Sequence, residues 1–128
     1  MFIVYNKTTG EIVFSVVENA IDVYYDVDTQ AALEIQERIH INEWYVENGE
    51  LRRKKNVEMN YDNGILHLSC DTTIGEISLK IINRNQLVDT FNLDIESNTE
   101  DIEIEKSDND QYMIVLEGHR VVEKVITI

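Results

Sequence analysis

The side chains that could carry acid–base or metal chemistry are spread singly along this chain of 128 residues. The three histidines, His40, His67 and His119, lie in different segments, and none has a partner at the short spacing of a His and Cys metal site. The five glycines also stand singly, so the sequence has no glycine-rich loop for phosphate. We therefore predict that the protein is not an enzyme and that it holds no metal and no cofactor.

The only cysteine, Cys70, follows the alternating pattern of Leu66 and Leu68. Residues two apart on a strand point to the same face, so all three side chains are expected to face a core. A free cysteine commonly packs as a small apolar side chain, whereas a reactive thiol needs exposure and nearby positive charge. Cys70 is therefore predicted to be structural, and a disulfide within the chain is excluded.

A row of carboxylates is the most unusual polar feature of the sequence. Asp101, Glu103 and Glu105 alternate with Ile102 and Ile104, which places the three acids on one face of a strand. Neighbouring carboxylates in such a row are about 6.5–7 Å apart, close to the spacing of phosphates along a nucleic-acid strand. The row would either imitate a phosphate backbone or form a solvated strand whose charge resists edge-to-edge aggregation.

One basic run, Arg52-Arg53-Lys54-Lys55, interrupts this acidic chain. It is interpreted either as the solvated end of a strand at a domain junction or as a docking patch for an acidic partner surface. Arg52 and Arg53 are the candidate contact residues in the second interpretation.

The charge balance disfavours two classes of partner. The net charge is −14, from 11 basic and 25 acidic residues, so direct binding to nucleic acid or to an anionic membrane is not expected. Residues 1–55 carry 10 acidic and 6 basic side chains, and residues 56–128 carry 15 and 5. This asymmetry supports a domain boundary between residues 55 and 56. The amino-terminal residues lack the pattern of a secretory signal, so synthesis in the cytoplasm is expected.

Residues 1–55 are predicted to form a small α+β unit. The expected strands are Phe2–Tyr5, Glu11–Val17, Asp22–Val27, Glu43–Glu47 and Glu50–Lys54, the last two joined by an Asn-Gly turn. Asp28–His40 is predicted to be a helix, because Ala32, Ile35 and Ile39 follow helical spacing and Asp28 can cap the first turn.

Residues 56–128 contain seven short alternating segments separated by turn residues, a pattern typical of an immunoglobulin-like β-sandwich. The segment Asp108–Tyr112 is similar to the turn before the sixth strand of that fold. Tyr112 is therefore the candidate for the tyrosine corner, in which the hydroxyl bonds back to the backbone upstream. The chain departs from antibody domains because Ile114 replaces the second cysteine and the only tryptophan, Trp44, lies outside this half.

The whole chain resembles the small accessory proteins of tailed-phage particles. The resemblance lies in Tyr5–Val13 and Trp44–Leu51, which look like short N-terminal modules that are often joined there to Ig-like domains. It implies a virion component, either a capsid decoration or a tail accessory protein, that is made in the host cytoplasm. Its partners would be other virion proteins, and the oligomeric state, including a possible homo-oligomer, is left open.

The alternative function is an acidic inhibitor that mimics nucleic acid and blocks a host nuclease or polymerase. In that case the row Asp101, Glu103 and Glu105 would be the contact surface. Such a complex would weaken steeply with salt.

Overall fold

The computed structural model describes residues 1–16 and 24–128, which form a mainly β protein with antiparallel sheets. The predicted fold class, mainly β, is confirmed. The chain divides into two compact units, Met1–Lys54 and Lys55–Ile128. They are called the first and the second unit below.

The first unit contains five described strands: β1 (Phe2–Asn6), β2 (Ile12–Val16), β3 (Gln30–Glu34), β4 (Trp44–Glu47) and β5 (Glu50–Arg53). Strands β2, β1 and β3 form one sheet in that order, and β4 and β5 form a hairpin. Ile3, Ile12 and Val46 are the buried centre of a small core. At the β4–β5 turn, Asn48 and Gly49 have φ angles of 52° and 75°, as a type I′ turn requires.

The predicted helix over Asp28–His40 is wrong. Residues 30–34 of this segment form β3, which pairs with β1, and the only helical piece in the described residues is the 3₁₀ turn Ile41–Glu43. Leu33 and Ile35 pack on the first core and are two residues apart, which is the spacing of one strand face, whereas Ala32, which the predicted helix would bury, is exposed. Pairing with β3 also satisfies the second edge of β1, which a separate short helix would leave open.

The predicted cap and the predicted third strand also need correction. The backbone N–H of Asp28 donates to the Asp26 carboxylate at 3.0 Å, and the N–H of Gln30 donates to the Asp26 carbonyl at 2.7 Å. These bonds make a tight turn into β3 rather than a helix start. The predicted strand Asp22–Val27 begins outside the described residues, and residues 24–27 contain no strand.

The second unit contains seven strands. They are β6 (Glu58–Asp62), β7 (Ile65–Ser69), β8 (Gly75–Asn83), β9 (Gln86–Ile95), β10 (Thr99–Glu103), β11 (Tyr112–Glu117) and β12 (Lys124–Thr127). One sheet has the order β10-β7-β6 and the other β12-β11-β8-β9. Leu66 and Leu68 from the first sheet share one core with Leu79, Ile114 and Leu116 from the second, so the two sheets pack face to face as a sandwich.

The strands of the second unit can be compared one by one with those of a constant-type immunoglobulin sandwich, and the fourth strand differs. In the constant-type domain the fourth strand joins the first, second and fifth, whereas here the fourth strand, β9, pairs with β8 in the opposite sheet. Arg84 and Asn85 form the two-residue turn between them, with φ angles of 53° and 63°. So short a turn keeps β9 beside β8 and prevents a crossing to the other sheet.

The apolar residues near the C-terminus lie on different faces of the second unit. Val121 is buried in the core and forms an isolated parallel bridge with Lys55. Pairing with β11 resumes at Lys124, and Val125 then points outward while Ile126 packs on the core. The chain between Val121 and Lys124 is therefore a break before β12.

The loop between β1 and β2 contains a position at which only glycine fits. Gly10 has a φ of +77°, and a Cβ at this position would lie 2.1 Å from the carbonyl oxygen of Val46. Gly49 has a φ of +75° but open space around it, so it is a matched control. Both alanine variants bear the cost of a left-handed residue, about 1–2 kcal/mol, and only Gly10→Ala also displaces the β4 backbone.

We expect Gly10→Ala to lower the free energy of unfolding of the first unit by at least about 2 kcal/mol more than Gly49→Ala does. Urea unfolding followed by the fluorescence of Trp44, which lies in the first unit, measures this difference. Equal unfolding midpoints for the two variants would contradict the close packing of Gly10 on β4.

Candidate interaction surfaces

The predicted carboxylate row lies on the outer face of the β10-β7-β6 sheet. Asp101, Glu103 and Glu105 are exposed, while Ile104 beside them is buried. The row runs along and beyond β10, which is an edge strand because it pairs only with β7. The structure therefore has the alternation of outward carboxylates and inward isoleucines that the sequence predicts.

One carboxylate of the row is engaged by a histidine. Asp101 and His67 are direct partners across β10 and β7, and Asp101 Oδ1 lies 2.6 Å from His67 Nδ1. Both side chains remain largely exposed. His67 thus orients Asp101, whereas Glu103 and Glu105 extend into solvent without a side-chain partner among the described residues.

A second set of acids, which was not predicted, shares this face. Glu58 and Asp62 lie on β6, on the far side of β7, and their registers place them level with Ser69 and Ile65. Glu58 is paired with Lys124 at 3.1 Å. The strand order places β6 and β10 on opposite sides of β7. The periodicity of the sequence does not reveal this order. We call Glu58, Asp62, Asp101 and Glu103 together the acidic face.

Two arginines of the basic run lie close to acidic side chains. Arg52 pairs with Glu50 at 2.9 Å, and Arg53 lies 3.7 Å from Glu43 while its guanidinium stacks 5.5 Å from the centre of the Trp44 ring. Lys55 donates to the carbonyl of Thr73. Exposed pairs of this kind contribute little to stability, but they offset the positive charge of the two arginines. The geometry favours the interpretation as a solvated strand end at the junction.

The predicted tyrosine corner at Tyr112 is not formed. The Tyr112 side chain packs against the core of the second unit, and its hydroxyl makes no hydrogen bond within the part of the chain that the structure describes. Its backbone instead pairs with Ile128 in both directions, at 3.1 and 2.8 Å. The phenol that bonds to a distant backbone carbonyl belongs to Tyr61, which donates to Ile104 at 3.1 Å. Tyr61 therefore ties β6 to the segment after β10.

Cys70 follows directly after β7 and lies on the inward face of that sheet. The thiol is free and half-buried, and the side chain packs against the core that contains Leu66 and Leu68. The backbone N–H of Cys70 donates to the carbonyl of Asn98 at 2.9 Å.

An exposed apolar strip on the opposite sheet was not predicted. Its residues occupy outward positions of the β12-β11-β8-β9 sheet, where Met113 faces Ile82, Ile82 faces Leu87, and Val115 faces Val125 across neighbouring strands. The apolar strip is defined as Ile82, Leu87, Met113, Val115 and Val125. Continuous apolar runs such as Tyr112–Leu116 signal strands that are apolar on both faces, so the sequence did contain a hint of this strip.

The strip is accessible to a partner. Leu87, Met113 and Val125 retain 59%, 40% and 52% of their surface exposed, and Val88, the extra residue at a β9 bulge, retains 55%. These four are the exposed large apolar side chains described in the second unit, and all lie in this one sheet.

Ion pairs flank the strip at both ends. Lys80 pairs with Glu117 at 2.6 Å on one side, and Arg84 lies 3.8 Å from Asp110 at the other. Arg84 is 85% exposed and Asp110 only 25%, so the end at the β8–β9 turn presents mainly positive charge. The opposite end presents Glu117, whose side chain is 36% exposed.

Comparison of the chain with protein-family models, curated proteins and solved structures found no match. In the described residues, no group of three or more His, Cys, Asp and Glu side chains is arranged to hold a metal ion. No helix in this same part of the chain is long and apolar enough to cross a membrane.

The two tyrosines give a direct test of which phenol is structural. We expect Tyr61→Phe to lower the free energy of unfolding of the second unit by about 1 kcal/mol, because it removes a partly buried hydrogen bond. Tyr112→Phe should leave it unchanged. Urea unfolding followed by far-UV circular dichroism measures both, and a larger loss for Tyr112→Phe would restore the tyrosine corner at that position.

Proposed function

We propose that this chain is a non-enzymatic structural or interaction protein, and specifically a virion component of a tailed phage, as a capsid decoration or tail accessory protein. The observation that carries the interaction role is the apolar strip on an otherwise acidic sandwich. The virion assignment is supported by the resemblance of Tyr5–Val13 and Trp44–Leu51 to the N-terminal modules of such proteins. The protein would be made in the host cytoplasm and then join the particle.

The apolar strip supports a contact role on physical grounds. Contiguous apolar side chains at the surface of a soluble protein mark interaction sites, because covering them releases free energy of about 25 cal/mol per Å² of apolar surface. Single exposed apolar residues would need no explanation. Here five outward positions on four neighbouring strands are apolar together, and polar residues such as Ser78 and Asn92 continue the same face.

A second candidate function has its own observation. The acidic face sets carboxylates of β10 and β6 on both sides of β7, so its negative charge extends beyond a single row. This arrangement supports an inhibitor that imitates nucleic acid. Two of its acids are engaged, however, because Asp101 contacts His67 and Glu58 contacts Lys124. The apolar strip therefore ranks first.

The discriminating experiment is affinity capture from the native lysate, with moderate- and high-salt washes and mass spectrometry of the bound proteins. We expect capsid or tail proteins to survive the high-salt wash, since contacts that bury apolar surface are not screened by salt. Met113→Lys should abolish this capture, because it places a charge within the strip. Val13→Lys, at a position 49% exposed in the first unit, is the matched control and should retain it.

The double variant Glu103→Gln with Glu105→Gln separates the two candidates. It should leave capture of virion proteins intact. Recovery of a nuclease or polymerase that is lost at high salt and lost in this double variant would overturn the virion proposal and establish the inhibitor.

A further inference from the structure

The two outer faces of the sandwich differ in what they can accept. On the β10-β7-β6 sheet, Glu58, Asp62, Asp101 and Glu103 give four negative side chains, and an approaching copy of the same chain would meet the same charges there. On the opposite sheet, the one charged side chain level with the strip is Lys80, the partner of Val115 on β8, and its charge is offset by Glu117 at 2.6 Å. Like-charge juxtaposition opposes self-association at the first face and does not oppose it at the second.

Charges of opposite sign stand at the two ends of the strip. Arg84 lies at the β8–β9 turn. Glu117 on β11 is level with Ser78 on β8, and Ser78 lies six residues before Arg84. Six residues of strand span about 20 Å. A second copy laid antiparallel on the first would therefore bring Arg84 of each copy toward Glu117 of the other, with the two strips in contact between them.

The same arrangement keeps the acidic faces apart. Two sandwiches stacked through their strips make four sheets, and sheets pack about 10 Å apart. The acidic faces then lie on the two outermost sheets, about 30 Å from one another. This distance exceeds the screening length of about 8 Å at physiological ionic strength, so their repulsion is largely screened. A chain of net charge −14 can thus associate with itself through this face.

We infer that the apolar strip binds a second copy of this chain, in a two-fold antiparallel dimer in which Arg84 of each copy faces Glu117 of the other. A two-fold axis that crosses the strands at the middle of the strip produces this self-complementary contact. The inference rests on the proposed contact role of the strip and names its occupant. Asp110, at 3.8 Å from Arg84, and Lys80, at 2.6 Å from Glu117, remain beside these groups and complete a network of alternating charge.

Sedimentation velocity of the full chain over a wide concentration range tests the dimer. We expect a species of twice the 14.9 kDa chain mass to grow with concentration. Met113→Lys should weaken the dimer by about tenfold or more, as loss of a central apolar contact commonly does. Val13→Lys, in the first unit, should not. Circular dichroism of each variant shows that it is folded, and the milder Met113→Ser provides a second variant if the lysine disturbs the sheet.

Charge reversal tests the antiparallel orientation. Arg84→Glu alone and Glu117→Lys alone should each weaken the dimer, because each places like charges against one another in both halves of the contact. An equimolar mixture of the two variants should recover dimers that contain one copy of each, since opposite charges then meet at both ends. A different protein as partner would not give this recovery.

The outcomes separate this inference from the proposed function. A single mass of 14.9 kDa at every concentration overturns the dimer, and the contact role of the strip survives if Met113→Lys still abolishes capture of a capsid or tail protein. A dimer that is insensitive to Met113→Lys and to Met113→Ser overturns the strip as its interface. A dimer that Met113→Lys weakens but that the mixed charge variants do not restore overturns the antiparallel arrangement.

Discussion

Strand register, set by three two-residue turns, is the constraint on which the surfaces of this protein depend. Asn48-Gly49, Asn63-Gly64 and Arg84-Asn85 all have positive φ angles, and such turns allow only one pairing of the strands that they join. Because side chains alternate between faces, a slip of one residue would exchange the inner and outer sets. The turns therefore decide that Leu79 and Ile81 are buried while Lys80 and Ile82 point outward.

The core and the two outer faces follow from that register. Packing of both sheets on one core leaves each sheet with a single outward face, and the outward residues of the two sheets differ in kind. The β10-β7-β6 sheet presents carboxylates around His67, whereas the β12-β11-β8-β9 sheet presents apolar side chains around Met113. The second unit thus has one acidic and one apolar outer face, and the two faces differ in the kind of surface that they can contact.

The sequence predicted what local rules determine. The Asn-Gly turns, the inward position of Cys70 and the outward alternation of Asp101, Glu103 and Glu105 all follow from period-two patterns and turn chemistry. The helix over Asp28–His40 failed because the four-residue spacing of Ile35 and Ile39 fits both periods, and only the open edge of β1 decides between them. Pairings between distant segments, such as Glu58 with Lys124 or Tyr61 with Ile104, depend on strand order, which no local pattern contains.

The most direct test of the contact surface uses the three methionines as probes, with their methyl groups labelled for nuclear magnetic resonance. Met113 lies in the apolar strip, Met59 packs against the core of the second unit and Met1 belongs to the first unit. As the protein concentration rises, the signal of Met113 should shift while the other two stay constant. An unchanged Met113 signal, or an equal shift of Met59, would contradict the strip as the surface through which this chain binds a second copy of itself.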